Sequence, residues 1–140
     1  MTTVECEFDA ATQVTSEHLQ KIEELALGLC DIPAGWDNDG AASVNRSALD
    51  HAVTLAARIT CAECLVPSIV PTKAGNVILD WTYGSDHLEV EVFADGSYEV
   101  LVSLPDTKGE FASTLNEDHH LELLAHWVTA VGIRRFTLPF

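Results

Sequence analysis

The feature that most constrains the fold is an alternation of apolar and polar residues that recurs three times between Val77 and Leu104. A period of two, rich in β-branched and aromatic side chains, is typical of strands with one buried face. Short polar segments at residues 84–87 and 94–96 separate the three runs. The sequence therefore predicts an antiparallel meander with one apolar face. The residues of that face are Val77, Leu79, Trp81, Tyr83, Leu88, Val90, Val92, Tyr98, Val100, Val102 and Leu104.

The length of each turn decides which residues of neighbouring strands face each other. Directly opposed residues share a face, so the correct register brings apolar residues together. For the second hairpin this criterion favours a three-residue loop over residues 94–96, with Gly96 in the left-handed conformation. Val92 then lies opposite Tyr98, and the following apolar residues of both strands also face each other.

The opposite face of this meander is acidic. The same criterion gives the first hairpin a four-residue loop over residues 84–87, so that Asp80 lies opposite Glu91 and Glu91 opposite Glu99. Glu89 lies beside them. Like charges that oppose each other directly destabilise a sheet, so something must offset their repulsion. The candidate partner-binding residues are these acids and the apolar residues among them: Asp80, Glu89, Glu91, Glu99, Phe93 and Ile78.

Three interpretations of this acidic surface stay open. The carboxylates are solvated or paired with Arg134 or Arg135. Alternatively, the surface binds a basic partner, which Phe93 and Ile78 favour because apolar residues ringed by charge are typical of interfaces. The third interpretation is a divalent metal site, or a carboxylate that acts as a general acid or base.

Composition narrows the class of protein. One domain is expected for 140 residues, and a hydrophobic fraction of 47% indicates a real core. The 22 acidic residues outnumber the 7 basic ones, which gives a net charge of −15. Direct nucleic-acid binding needs Lys and Arg against phosphates, so we do not expect it. A basic protein partner or a cationic ligand suits this charge better.

Membrane and export signals are not evident in the sequence. The longest apolar runs fall well short of the roughly 18 residues that a membrane span needs. Residues 1–10 contain three acids and no basic residue, unlike a secretory signal peptide. We therefore expect a cytoplasmic protein.

Helical patterns lie on both sides of the meander. Residues 1–14 are ambiguous and are expected to form a short edge strand or a flexible tail. Ser16 is a candidate N-cap of a first helix that ends near Asp31, and Ser43 or Asn45 is the candidate N-cap of a second.

The remaining segments fill out the prediction. Residues 67–71 are expected to be an extended edge segment because prolines punctuate them. Residues 105–114 are polar and are predicted to be a flexible loop. Asn116 is expected to cap a third helix that Gly132 ends, after which residues 133–140 could return as a short strand.

Cysteine spacing gives no strong motif. The four cysteines are Cys6, Cys30, Cys61 and Cys64. The Cys-x-x-Cys pair closes a predicted helix, whereas a thioredoxin-like pair opens one. Cys6 and Cys30 are single residues without paired spacing, so a four-cysteine zinc site is not indicated. Structural thiols are the favoured interpretation over zinc binding or redox work.

Two other polar sets have the right residue types for metal ligands but not the right pattern. His119, Glu122 and His126 share one helical face, and that face is expected to be solvent-exposed. Asp37 and Asp39 lie in a Gly/Asp-rich loop that lacks the continuation of an EF-hand. No catalytic motif occurs in the sequence, so catalytic residues, metal ligands and cofactors are not assigned.

Two stretches carry a resemblance to a known group. The loop Gly-Trp-Asp-Asn-Asp-Gly-Ala at residues 35–41 and the Pro-Ser-Ile-Val-Pro-Thr run at 67–72 precede Leu-Asp-Trp and Leu-Glu-Val-Glu-Val strands. This set resembles small uncharacterised bacterial proteins with a GWDG-like loop and LEW-like and LEIEI-like strands. The match departs at Asn38, where those proteins have Gly, and at Asp80, where they have Glu. The resemblance implies no activity.

The sequence thus predicts one α+β domain over residues 1–140. Two N-terminal helices precede an antiparallel meander of three to four strands, and a C-terminal helix packs with them on one sheet face. We expect a small acidic binding protein of the antitoxin, immunity or defence-accessory type, with a homodimer as a further possibility for the free face. The alternative is a small metal-dependent hydrolase that uses Asp80, Glu89 and Glu91.

Overall fold

The three alternating runs form the centre of a sheet of five strands, one more than the upper limit that the sequence predicts. The structure, a computed structural model, describes residues 16–60 and 65–137, with side chains described through Val131. Within these ranges the fold is α+β, as expected. The elements are α1 (Ser16–Cys30), α2 (Arg46–Ile59), β1 (Ser68–Pro71), β2 (Val77–Tyr83), β3 (Asp86–Val92), β4 (Ser97–Ser103), β5 (Lys108–Thr114) and α3 (Asp118–Thr137).

Each strand pairs antiparallel with the next one along the chain, in the spatial order β1-β2-β3-β4-β5. The predicted edge segment is confirmed as β1, where Ser68 lies opposite Asp80 and Pro71 opposite Val77. Proline is compatible with this position because an edge strand leaves half of its N–H groups outside the sheet.

The prediction of a flexible loop over residues 105–114 is wrong. Residues 108–114 of this segment are β5, which pairs along the whole of β4, with Phe111 opposite Val100 and Ser113 opposite Tyr98. The sequence of this edge strand does not alternate between apolar and polar residues, because an edge strand buries few side chains. Ser113 is the single buried residue of β5. Lys108 and Gly109 at its start are typical of edge strands, which avoid pairing with further chains.

The core lies between the three helices and one face of the sheet. Helix α2 and helix α3 contact β2 and β3, while α1 contacts β1 and α2. Trp81 and Tyr98 are the largest fully buried side chains, and burial of each large apolar side chain contributes about 1.5–3 kcal/mol. The Trp81 indole Nε1 also donates to the Leu65 carbonyl oxygen at 3.1 Å, which fixes the chain that enters β1.

The second hairpin has the predicted register. Val92 lies opposite Tyr98, and Glu91 lies opposite Glu99. The three-residue loop closes through a hydrogen bond from the Phe93 amide to the Ser97 carbonyl oxygen at 3.0 Å. Gly96 has a φ of 88°, the left-handed conformation that this loop requires.

The first hairpin differs from the prediction by two residues. Its loop is the two-residue turn Gly84-Ser85, so Asp80 lies opposite Glu89 rather than Glu91, and Ile78 lies opposite Glu91. Gly84 has a φ of 65°, and Gly at the first central position is typical of a type II′ turn. A slip of two residues leaves every side chain on its original face, so face composition alone could not detect the error.

The two N-terminal helices lie where the sequence predicts them. Helix α1 spans Ser16–Cys30, and Asn45 is confirmed as the N-cap of α2 because its Oδ1 accepts from the Ala48 amide at 3.0 Å. The segments at residues 1–14 and 61–64, with Cys61 and Cys64, lie outside the described residues.

The limits predicted for the third helix are less accurate. Helix α3 begins at Asp118, so Glu117 rather than Asn116 is the residue before its first turn. The helix continues through Gly132 to Thr137, and the predicted stop and a strand starting at residue 133 are wrong. A helical glycine costs about 1 kcal/mol relative to alanine, and the burial of Val128 and Val131 just before it outweighs that cost.

Gly75→Ala should destabilise the fold by about 1–3 kcal/mol because a left-handed backbone disfavours a Cβ. Gly75 has a φ of 93°, and its added Cβ would lie 2.9 Å from the Ser43 carbonyl oxygen. Gly28→Ala is the matched control, because nothing lies within 4 Å of its added Cβ and helical alanine should stabilise α1 by about 0.5–1 kcal/mol. Urea unfolding measures both, and equal effects of the two changes would contradict the described turn.

Candidate acidic site on the outer sheet face

The sheet face that points away from the helices is called here the acidic face. Its members follow from the pleat, since alternate residues of each strand point to the same side. From β1 to β5 they are Ser68, Val70, Ile78, Asp80, Thr82, His87, Glu89, Glu91, Ser97, Glu99, Leu101, Ser103, Lys108, Glu110, Ala112 and Thr114. All are exposed or half-buried, whereas the opposite-face residues of β3 and β4 are buried.

Repulsion between carboxylates on this face is only partly offset. Glu91 lies directly opposite Glu99, and the Asn76 amide Nδ2 donates to Glu91 Oε2 at 3.2 Å. In the described part of the chain the side chains of Glu99 and Glu110 make no hydrogen bond and no ion pair. Both side chains are exposed, so water solvates their charges. The predicted pairing with Arg134 or Arg135 is untested, because the side chains of those residues lie outside the described ones.

Three polar side chains converge where β2 and β3 approach the Gly84-Ser85 turn. His87 Nε2 lies 3.5 Å from Asp80 Oδ1 and 3.6 Å from Glu89 Oε1. Each of the three side chains is about one third exposed, at 30–32%. The Thr82 hydroxyl donates to Asp80 Oδ1 at 2.6 Å and orients that carboxylate.

A groove of about 450 Å³ lies next to this cluster, above β3, β4 and β5. Leu101 contributes its exposed apolar surface, with 39% of the residue accessible. The lining residues are Glu89, Glu91, Glu99, Val100, Leu101, Glu110, Phe111 and Ala112. The groove therefore combines four carboxylates with apolar surface, a composition that suits a ligand with positive charge and an apolar part.

The structure brings most of the predicted site residues together. Asp80, Glu89, Glu91 and Glu99 share the acidic face with Ile78. The two apolar candidates, Ile78 and Phe93, are half-buried. Phe93 follows the last residue of β3, outside the paired part of the strand. The large apolar residues of this face that are exposed are Leu101 and Val70.

Sequence reasoning missed two members of the site, His87 and Glu110. The predicted four-residue loop removed His87 from the strand, and the predicted flexible loop removed Glu110. A signal for His87 was present, because Gly-Ser between two alternating runs is a recognised two-residue hairpin turn. No comparable signal marks Glu110, since β5 does not alternate in hydrophobicity.

Glu99→Gln should stabilise the protein by about 0.2–1 kcal/mol, because it removes one of two directly opposed charges. Glu110→Gln is the control on the same face, since Glu110 lies opposite Leu101 rather than a carboxylate. Urea unfolding at low salt compares the two variants. A loss of stability in Glu99→Gln with no change in Glu110→Gln would show that the Glu91–Glu99 pair is not repulsive.

The two carboxylates of the loop before α2, Asp37 and Asp39, have partners within the protein. Asp37 Oδ1 accepts from the amides of Asp39 at 2.8 Å and Ala41 at 3.1 Å, and Asp39 pairs with Lys73. Partial desolvation raises the pKa of Asp37, but those two amides and the nearby Lys73 charge outweigh it and hold the pKa below its usual value. The arrangement is an Asx-type turn, which accounts for the polar residues without a bound cation.

The backbone of the same loop turns sharply at Asn38. Asn38 has a φ of 60°, a conformation that glycine adopts freely and that asparagine tolerates better than most residues. Trp36 anchors the loop, because its Nε1 donates to the Ala42 carbonyl oxygen at 3.1 Å.

Asp37→Asn should reduce the loss of stability on acidification. A depressed folded-state pKa gives stability that is present above the unfolded value and is lost as pH falls through the folded one. Asparagine can accept the same two amides through Oδ1 but does not titrate. Urea unfolding at about pH 5 and about pH 3 should show a smaller drop for the variant than for the natural protein. An equal drop in both would mean that Asp37 does not contribute to the pH dependence.

The remaining histidines divide into two groups. His119, Glu122 and His126 are exposed, as predicted for the solvent face of α3. His120 faces inward, and its Nδ1 lies 2.5 Å from the hydroxyl oxygen of the buried Ser113. This contact ties β5 to α3 and was missed because residues 105–114 were predicted to be a loop.

Comparisons with known proteins add no assignment. No protein-family model matches this chain, and no curated protein or solved structure matches it. Within the described residues, no helix combines the length and the apolar character needed to cross a membrane. The function therefore has to be argued from the geometry of the acidic face.

Proposed function

We propose that this protein is a small cytoplasmic binding protein that takes up a basic protein partner on its acidic face. The single observation that carries the proposal is the set of exposed carboxylates that have no partner among the described side chains and lie beside an exposed apolar residue. Glu99 and Glu110 flank Leu101, and all three border the groove. A partner of the antitoxin-target, immunity or defence type would be neutralised or held there through lysine and arginine side chains.

Charge complementarity favours a basic partner over a second copy of this chain. Two acidic faces brought together would place like charges across the interface, which costs several kcal/mol. A basic partner instead relieves the repulsion between Glu91 and Glu99 that the isolated protein carries. The net charge of −15 further steers positively charged partners towards the protein.

The acidic face has a suitable size for such a contact. Four of its strands are seven residues long, and five strands at the usual spacing give a flat area of about 500 Å² before side-chain relief is added. Stable interfaces bury about 800 Å² of accessible surface per partner. The face is thus large enough to supply most of one side of a modest interface.

Binding is favoured over hydrolysis because the carboxylates do not form one catalytic set. The alternative combines Asp80, Glu89 and Glu91, but Asp80 opposes Glu89, while Glu91 opposes Ile78 on β2. Glu91 is also held by Asn76. The groove beside these carboxylates is also an open depression on the sheet surface and does not enclose a substrate.

The test compares two charge-matched variants in affinity capture from a lysate of the source organism. The face variant is Glu91→Gln/Glu99→Gln/Glu110→Gln, and the control is Glu17→Gln/Glu23→Gln/Glu24→Gln on α1, where all three residues are exposed. The natural protein and the control should capture the same basic protein, and the face variant should lose it. Addition of salt to about 1 M should also release the partner. The Debye length is then only about 3 Å, so exposed charges on the two proteins no longer attract each other appreciably.

Loss of the partner in both variants would mean that net charge alone governs binding. Retention of the same partner by the face variant would contradict the proposal that the acidic face forms the interface. Circular dichroism of each variant confirms that all three proteins are folded before capture.

A further inference from the structure

The cluster at the turn end of β2 and β3 differs in chemistry from the rest of the acidic face. Asp80 and Glu89 are a directly opposed pair, and His87 lies two residues before Glu89 on the same side of β3. One possible ligand atom from each of the three residues lies within 4.8 Å of the others. Two carboxylate oxygens and one imidazole nitrogen are thus presented together from two rigid strands.

We propose that Asp80, His87 and Glu89 form a binding site for a first-row divalent transition metal ion, with Zn²⁺ as the reference ion. The proposal goes beyond a role in partner binding and does not depend on it. Zinc takes nitrogen and carboxylate ligands at about 2.0–2.2 Å. Ligand atoms at the corners of a tetrahedron of this size are about 3.3 Å apart.

The observed separations are close to this requirement. His87 Nε2 is 3.5 Å from Asp80 Oδ1 and 3.6 Å from Glu89 Oε1. The Asp80 and Glu89 oxygens lie within 4.8 Å of each other, so the two carboxylates would draw closer together around a bound ion, and water would take the remaining position. Three protein ligands with one open position is the pattern of zinc sites that bind exchangeable ligands.

Supporting contacts favour an organised site over three independent side chains. The Thr82 hydroxyl donates to Asp80 Oδ1, the carboxylate oxygen that lies nearest His87, and so restrains its orientation. Such outer contacts orient metal ligands in known sites. Partial burial, with each of the three side chains about one third exposed, leaves room for an ion to enter from solvent.

The choice of ion follows from the donor set. Imidazole suits zinc, copper, iron and nickel, whereas magnesium and calcium prefer oxygen ligands alone. A second group, Glu117, His119 and His120, also brings three donors together. It lies at the first turn of α3, where the positive end of the helix dipole disfavours a cation.

The test is a titration of the purified full-length protein with Zn²⁺, and with Co²⁺ as a spectroscopic substitute, at low ionic strength. Cys61→Ser/Cys64→Ser is the background, because thiols also bind these ions. Isothermal titration calorimetry should show one ion per chain whose binding is lost in His87→Gln and in Asp80→Asn. Thr82→Val should weaken binding by about 10–100-fold, as removal of an outer contact does elsewhere.

Matched controls separate this site from its surroundings. Glu91→Gln/Glu99→Gln removes two neighbouring charges of the same face, and His119→Gln/His120→Gln removes the second donor group; both should retain the ion. Nuclear magnetic resonance of the imidazole nitrogens gives a readout independent of folding changes in the variants. The His87 signals, assigned by their absence in His87→Gln, should shift when Zn²⁺ is added.

Other outcomes would overturn the proposal. Absence of binding by the background protein, or undiminished binding in His87→Gln, would exclude this site. Loss of binding in the His119/His120 variant alone would assign the ion to the second group. Binding of Mg²⁺ and Ca²⁺ in preference to Zn²⁺ would contradict the role of the imidazole. No partner protein is needed, so these results do not depend on whether the acidic face also binds a protein.

Discussion

The pleat of the central strands is the constraint on which the rest of the structure depends. Because side chains alternate, burial of Leu88, Val90 and Val92 under the helices forces Glu89 and Glu91 to the other side of β3. The apolar face provides the core, and the acidic face is its unavoidable counterpart. Alternate residues of the same strands therefore provide the stability of the fold and the proposed function.

This arrangement has an energetic consequence. The apolar layer contributes several kcal/mol through its large buried side chains, whereas each opposed pair of like charges costs only about 1 kcal/mol or less. The core can thus tolerate the Glu91–Glu99 pair without loss of the fold. When a cation or a basic partner binds such a surface, it removes part of the repulsion that the free protein carries. This relief favours binding and is the physical basis of both proposals.

The sequence predicted the strands that bury a full face and failed where burial is partial. The meander, its apolar residues and the register of the second hairpin followed from alternation and from Gly96. The first hairpin was misplaced by two residues, because such a slip preserves which face each residue occupies. Edge strand β5 escaped detection since only Ser113 among its residues is buried. The cluster around His87 could not be found without the correct turn at Gly84-Ser85.

The most direct test of the central claim maps the contact on the protein itself. The ¹⁵N-labelled protein would be titrated with the basic partner recovered by capture, and amide chemical shifts would be followed by nuclear magnetic resonance. The account predicts that the largest changes cluster in β3, β4 and β5, around Glu99, Leu101 and Glu110. Changes confined to the helices α1, α2 and α3, with the acidic face unaffected, would contradict it.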